Sequence, residues 1–206
     1  MEFSEKQIQI IEVTEKLFAE SGYEGTSVRD IAQEAGVNVA MISYYFGSKE
    51  KLFQAVFAHR ISLSKLRLEN LLHDKTLTPS EKIDKLIEGY IDKIIQNPNF
   101  HRIVINKEMK DITCILHDNK MQNLELVSKI IQEGQKKKNF VKNIDAQMLM
   151  VTMIGTVTYV INNQEFYRIT YKMQDLSDTE FLEEIRKKLN THIKLVFKSI
   201  LNYEGK

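Results

Sequence analysis

The chain has 206 residues, of which 43% are hydrophobic and 28% charged, a balance that excludes wholesale disorder and suits one compact unit or a small module joined to a larger one. Its single cysteine, Cys114, excludes an internal disulfide framework and a Cys-rich zinc module, and reads as a reduced thiol in a cytoplasmic protein. The net charge is +1, but residues 1–59 carry five Lys/Arg against nine Asp/Glu and residues 60–206 carry twenty-four against nineteen, so charge alone would direct a polyanion to the later part. The amino terminus lacks the basic start and apolar run of a signal peptide. The longest uncharged window, residues 146–164, holds Gln147, Thr152, Thr156, Thr158, Asn162, Asn163 and Gln164. It reads as a helix buried in protein, and no membrane partner is expected.

In chain order, Ser4 and Gln7 form a capping box ahead of Ile8, Ile11 and Phe18, which recur at helical spacing until Gly22. Ser27 caps a short second helix with Asp30 at its third position, lined by Val28, Ile31, Ala32 and Ala35 and closed by Gly36. Asn38 caps a third, through about Tyr45, and Phe46-Gly47 ends it. Ser48 caps a longer fourth helix. Three helices, the second and third short and separated by a glycine turn, suit a helix-turn-helix.

Long helices follow. Thr78-Pro79-Ser80-Glu81 opens one that ends near Asn97-Pro98; another runs over about 99–110, and a third over 121–138 with Leu124, Val127, Ile130 and Ile131. Asp145 caps the uncharged helix, and Ser177 and Glu180 box a final one with Phe181, Ile185, Leu189, Ile193, Phe197 and Ile200. No strand-like alternation competes, so the fold class is all-α, with about nine helices.

Residues 17–37, Leu-Phe-Ala-Glu-Ser-Gly-Tyr-Glu-Gly-Thr-Ser-Val-Arg-Asp-Ile-Ala-Gln-Glu-Ala-Gly-Val, and the continuation Ile42-Ser-Tyr-Tyr-Phe-Gly-Ser-Lys-Glu-Lys-Leu52 resemble the amino-terminal domain of TetR/AcrR-family transcriptional regulators. The resemblance implies a helix-turn-helix DNA-binding domain over residues 1–50 and a ligand-binding and dimerisation domain over 51–206. It implies a homodimeric repressor that lays its third helix in a major groove of a palindromic operator in double-stranded DNA and is released by a small-molecule effector. The fourth helix would carry the change between domains. The alternative is a ligand-independent DNA-binding scaffold whose larger domain serves protein contacts.

The DNA-facing candidates are Thr26, Ser27, Val28 and Arg29, at a helix start whose free N–H groups and dipole suit a phosphate, and Asn38, Val39, Ala40, Met41, Ser43, Tyr44, Tyr45 and Lys49. Tyr45 is the favoured phosphate contact of the two tyrosines, and Phe46 reads as core. The alternative for Arg29 is a salt bridge with Asp30 or Glu34. The third helix offers no bidentate reader such as Arg to guanine. Tyr90, Phe100, Met109, Met121, Met150, Met153 and Tyr159 are pocket candidates, on helices similar to the pocket-forming ones of that family. The width of the last two apolar stripes, Ile154, Val157 and Ile161 on one helix and Leu189, Ile193, Val196, Phe197 and Ile200 on the other, points to a four-helix dimer interface. Cys114 and His117 are three apart but lack further ligands in sequence, so no metal is expected. Lys136-Lys137-Lys138 reads as a solvated helix end. With no Ser/His/Asp order and no phosphate-cradling glycine loop, neither a catalytic residue nor a cofactor is expected.

Overall fold

The computed structural model describes residues 3–105 and 110–202, with residues 102, 105 and 110–114 as backbone only. Ten helices are described: α1 (Glu5–Ser21), α2 (Val28–Glu34), α3 (Val39–Phe46), α4 (Lys49–His73), α5 (Pro79–Gln96), α6 (Pro98–Ile105), α7 (Lys110–Lys136), α8 (Ala146–Asn162), α9 (Gln164–Thr170) and α10 (Asp178–Leu201). No strand occurs among the described residues, and the fold is all-α. No helix among them is long and apolar enough to cross a membrane.

Local chemistry accounts for most of the boundaries. Backbone N–H groups at the start of a helix lack intrahelical acceptors, and polar side chains just outside supply them. Capping boxes open α1, α2 and α10 through Ser4 and Gln7, Ser27 and Asp30, and Ser177 and Glu180. At α5 the Thr78 N–H donates to Glu81 Oε2 (2.7 Å) while the Glu81 N–H donates to Thr78 Oγ1 (3.3 Å). Asp145 caps α8 by accepting from the Met148 N–H at 3.0 Å. The helix that sequence spacing does not announce is α9. Asn163 breaks α8 without offering a side-chain cap, so no signature marks the restart. Tertiary contacts hold it instead: the Arg168 guanidinium donates to Leu176 O (2.8 Å) and Asp178 Oδ1 (2.7 Å) and lies 4.1 Å from the Phe181 ring centre.

The chain forms two compact units, Met1–Arg67 with Asn97–Lys120, and Leu68–Gln96 with Met121–Lys206. In the first, α1, α2, α3, the early part of α4 and α6 enclose Ile10, Ile11, Ile31, Ile42, Leu52 and Phe57. Rings run through it in edge or tilted contact, Phe18 to Phe53 at 5.2 Å, Phe53 to Phe57 at 5.1 Å and Phe57 to Phe100 at 5.3 Å. A buried ion pair joins α1 to α4: Arg60 Nε donates to Glu15 Oε2 (2.7 Å) and Nη2 to Oε1 (3.0 Å). Such a fork satisfies both carboxylate oxygens, so the buried charge is compensated.

The second unit packs α5, α7, α8 and α10 around Ile87, Ile91, Ile130, Val157, Phe181 and Ile193. Lys82 is almost fully buried, and its Nζ donates to Leu72 O (2.7 Å) and Glu133 Oε2 (2.8 Å), tying the last turn of α4 to α5 and α7. Glu133 also accepts from Lys137 at 2.7 Å, so part of the lysine run at the end of α7 is paired. Phe140 folds back over α7 at Gly134, where a Cβ would collide with the ring. Gly134→Ala must displace Phe140 from the core, and such overpacking costs roughly 1–3 kcal/mol. The thermal midpoint followed by circular dichroism is expected to fall by several degrees, on the order of 2–4 °C per kcal/mol for a chain of this size; an unchanged midpoint would contradict the close approach.

Candidate nucleic-acid interface

The core of the first unit sets the roll of α3. Ile42 and Phe46, four residues apart and therefore on one side, are buried. Tyr44 lies midway between them in sequence and so points the opposite way, 84% exposed. Val39 (41% exposed), Ala40 and Ser43 are also exposed, and Met41 is half-buried. Asn38 holds the start of the helix, its Oδ1 accepting from the Met41 N–H at 2.8 Å. The reversal before it passes through Gly36 at φ 60°, a left-handed conformation that a side chain would strain. Residues 36–48 carry no charged side chain, so this face offers methyls, two hydroxyls and one aromatic ring.

Of the two tyrosines, Tyr44 is the freer. Tyr45 packs partly against the core, with its ring 5.3 Å from that of Tyr44, so the tyrosine favoured from sequence is the less exposed of the two. Phe46 is core, as expected from sequence. Lys49 lies at the first position of α4 with its Nζ 4.1 Å from the Tyr23 ring centre, a cation–π contact that localises the ammonium.

The turn before α2 departs from the sequence expectation at Thr26. Thr26 is buried, and its hydroxyl donates to Gly22 O (2.9 Å) and lies 3.2 Å from Leu17 O, so it closes the turn rather than facing a phosphate. The sequence concealed this because the carbonyls that take the hydroxyl belong to the end of α1 and the turn after it. Ser27 is exposed, with its Oγ accepting from the Asp30 N–H (3.2 Å), while its own N–H donates to Asp30 Oδ2 (2.8 Å). These hydrogen bonds hold the Asp30 carboxyl below its ordinary range and leave it ionised at neutral pH, an anion beside this helix start. Val28 is half-buried and Arg29 exposed. The salt bridge considered for Arg29 does not form among the described residues, since Glu34 pairs with Lys16 at 2.8 Å and Asp30 with Ser27. Arg29 and Lys49 are thus cations near an uncharged α3.

The residues expected to line one pocket fall in both units. Phe100 belongs to the core of the first unit, beside Phe57. Met153 and Met150 belong to the second unit's core or pack against it. Tyr90 packs there too, its phenol hydrogen-bonded to Thr158 and its pKa pushed up to about 12 by burial. Met121 and Tyr159 are 55% and 61% exposed, and Met109 lies outside the described residues. A groove of about 330 Å³ lies elsewhere in the second unit, between α7 and the start of α8. Leu124, Ser128, Ile131, Gln132 and Gln135 line its α7 side. Its trace in the sequence is the polar series Ser128, Gln132 and Gln135 at four- and three-residue steps.

Most residues of the expected dimer face are taken up by the protomer itself. Val157, Leu189, Ile193 and Phe197 are buried within the second unit's own core, Ile154, Ile161 and Val196 are half-buried, and Ile200 alone of that set is exposed. The stripes that periodicity marks are largely those that build the protomer. The outward apolar set is Met148, Val151 (53% exposed) and Tyr159 on α8, with Leu195 (64%) and Ile200 on α10. No group of described residues could hold a metal ion, and the Cys114 side chain lies outside them.

Comparison with known proteins bears on this arrangement. The family described as bacterial regulatory proteins, tetR family, matches residues 10–56, and the tetracyclin repressor-like C-terminal domain matches residues 79–193. The HTH-type transcriptional repressor NicS of Pseudomonas putida KT2440 is 30% identical over 179 residues, covering 83% of this chain and 82% of that protein. The fatty acid metabolism regulator protein of Bacillus subtilis is 27% identical over 170 residues, covering 78% and 87%. The crystal structure of the transcriptional regulator FadR from B. subtilis in complex with stearoyl-CoA shares the fold, with a TM-score of 0.71 at 19% identity over 95% of this chain and 99% of that one.

Proposed function

Because the chain belongs to the tetR family of bacterial regulatory proteins, it is a DNA-binding transcriptional regulator, and we propose that it is an effector-released repressor. In this reading a homodimer lays one α3 in each of two successive major grooves of a palindromic operator, with half-sites about one helical turn (~34–36 Å) apart. The observation that carries it is the outward, charge-free face of α3 (Val39, Ala40, Ser43 and Tyr44), held out by the burial of Ile42 and Phe46. Arg29, Lys49 and the Tyr44 hydroxyl supply phosphate contacts, which position the protein while the α3 face meets base edges. The acidic balance of residues 1–59 is no obstacle, since α3 itself presents no carboxylate.

The exposed apolar residues Met148, Val151 and Tyr159 of α8 and Leu195 and Ile200 of α10 support pairing through these two helices. Repression is the role named for NicS. The fatty-acid regulators among the relatives, together with an aliphatic core in the second unit, support a long-chain acyl compound as the effector. Such a ligand acts by binding the DNA-incompetent state more tightly, and DNA must then weaken the ligand by the same factor.

Two measurements test the reading. Lys49→Ala is expected to weaken binding to every duplex alike and to lower the slope of log affinity against log salt by about 1 for each phosphate that the lysine no longer neutralises; an unchanged slope would remove Lys49 from the interface. Stearoyl-CoA, used as the probe, is expected to lower operator affinity by roughly 5–150-fold, the usual range of such coupling. If it changes neither operator affinity nor the thermal midpoint, the acyl assignment fails. If a wider panel of apolar and cationic compounds does no better, the second unit is a protein-contact scaffold.

A further inference from the structure

We propose that α3 recognises its half-site through the C5-methyl groups of thymine, which places thymine beneath Val39 and Ala40 in the operator. The inference rests on the reading of α3 as the groove-entering helix and specifies the base chemistry that this helix selects.

It follows from what α3 has and lacks. Guanine is read in the major groove by Arg or Lys, and no charged residue occurs between positions 36 and 48. Lys49, the nearest cation after α3, has its ammonium over the Tyr23 ring at 4.1 Å. Adenine is read by an Asn or Gln that offers an acceptor and a donor together. Asn38 is the one such side chain in this stretch. Its Oδ1 accepts from the Met41 N–H at 2.8 Å, so one of the oxygen's two lone pairs and the orientation of the amide are committed to capping a helix of eight residues. Cytosine needs a carboxylate acceptor, and none is present between positions 36 and 48.

The outward face retains the Val39 and Ala40 methyls, the Ser43 hydroxyl and the Tyr44 ring. A serine hydroxyl both donates and accepts, so it discriminates weakly among bases. Thymine alone presents an apolar group to the major groove. The short side chains at positions 39, 40 and 43 let the α3 backbone approach the base edges closely enough to cover it. Burying one methyl is worth about fourfold in affinity, and a symmetric pair across two half-sites about fifteenfold.

The test uses the tightest duplex selected by the full-length protein from a random pool. It is resynthesised with deoxyuridine for thymidine in the half-sites only, in the spacer only, or in both. Uracil keeps every hydrogen-bonding group of thymine and lacks only the methyl. Uracil in the half-sites is expected to weaken binding by about fourfold per contacted methyl, and uracil in the spacer to leave it unchanged. Val39→Ala, at an exposed position, is expected to weaken binding to the thymine duplex while leaving the uracil duplex nearly unaffected, because the two changes remove the same interaction. A melting curve matching that of the unmodified protein checks that the variant is folded. Half-site uracil that binds within about twofold of thymine, or an equal loss for Val39→Ala on both duplexes, overturns the thymine assignment and leaves the regulator reading intact. A protein for which no duplex is enriched over random sequence overturns both.

Discussion

Burial of Ile42 and Phe46 is the constraint on which the candidate interface depends. A helix of eight residues does not persist alone in water, because its nucleation is unfavourable and too few hydrogen bonds follow. It exists here because one side is sunk in the core of the first unit and its start is capped by Asn38. That anchoring also fixes which residues are left outside. The proposed DNA-binding face is therefore a by-product of packing: Val39, Ser43 and Tyr44 point outward because Ile42 and Phe46 point inward.

Two further restraints act on α4, the helix that leaves this core. In the first unit the buried Arg60–Glu15 fork and the run of rings from Phe18 to Phe100 hold its early turns. In the second unit its last turn is held by the Lys82 ammonium, which donates to the Leu72 carbonyl and to Glu133. In the proposed mechanism, an effector that rearranges the neighbours of Leu72 acts on a helix whose opposite end is locked to the DNA-facing core. The ion pair in each unit places little-exposed charge in specific hydrogen bonds, which are sensitive to small changes in geometry.

Much of this is legible in the sequence, for local reasons. The boxes at Ser4, Ser27 and Ser177, the caps at Asn38 and Asp145, and the turn at Gly36 all act within three or four residues, so sequence spacing shows them directly. What escapes depends on contacts distant in sequence. The short helix α9 is held by Arg168 against residues of the following loop and α10. The Thr26 hydroxyl is claimed by carbonyls of the preceding helix end and turn. The apolar stripes of α8 and α10 are visible, but periodicity does not tell whether a stripe faces the protomer's own core or a partner. Val157 and Phe197 face the core, and the adjoining series Met148, Val151 and Tyr159 is the exposed one. The pocket candidates are methionines and aromatics, and residue type does not tell a core position from an exposed one: Met153 is buried and Met121 is exposed.

The central claim is a paired geometry, with two copies of α3 presented to one duplex at a fixed spacing. Hydroxyl-radical footprinting of a selected genomic fragment tests it most directly. The account predicts two protected patches on one face of the duplex, related by a two-fold axis and separated by about 10–10.5 base pairs or a multiple of that. A single unpaired patch, or protection spread evenly over the fragment, would contradict it.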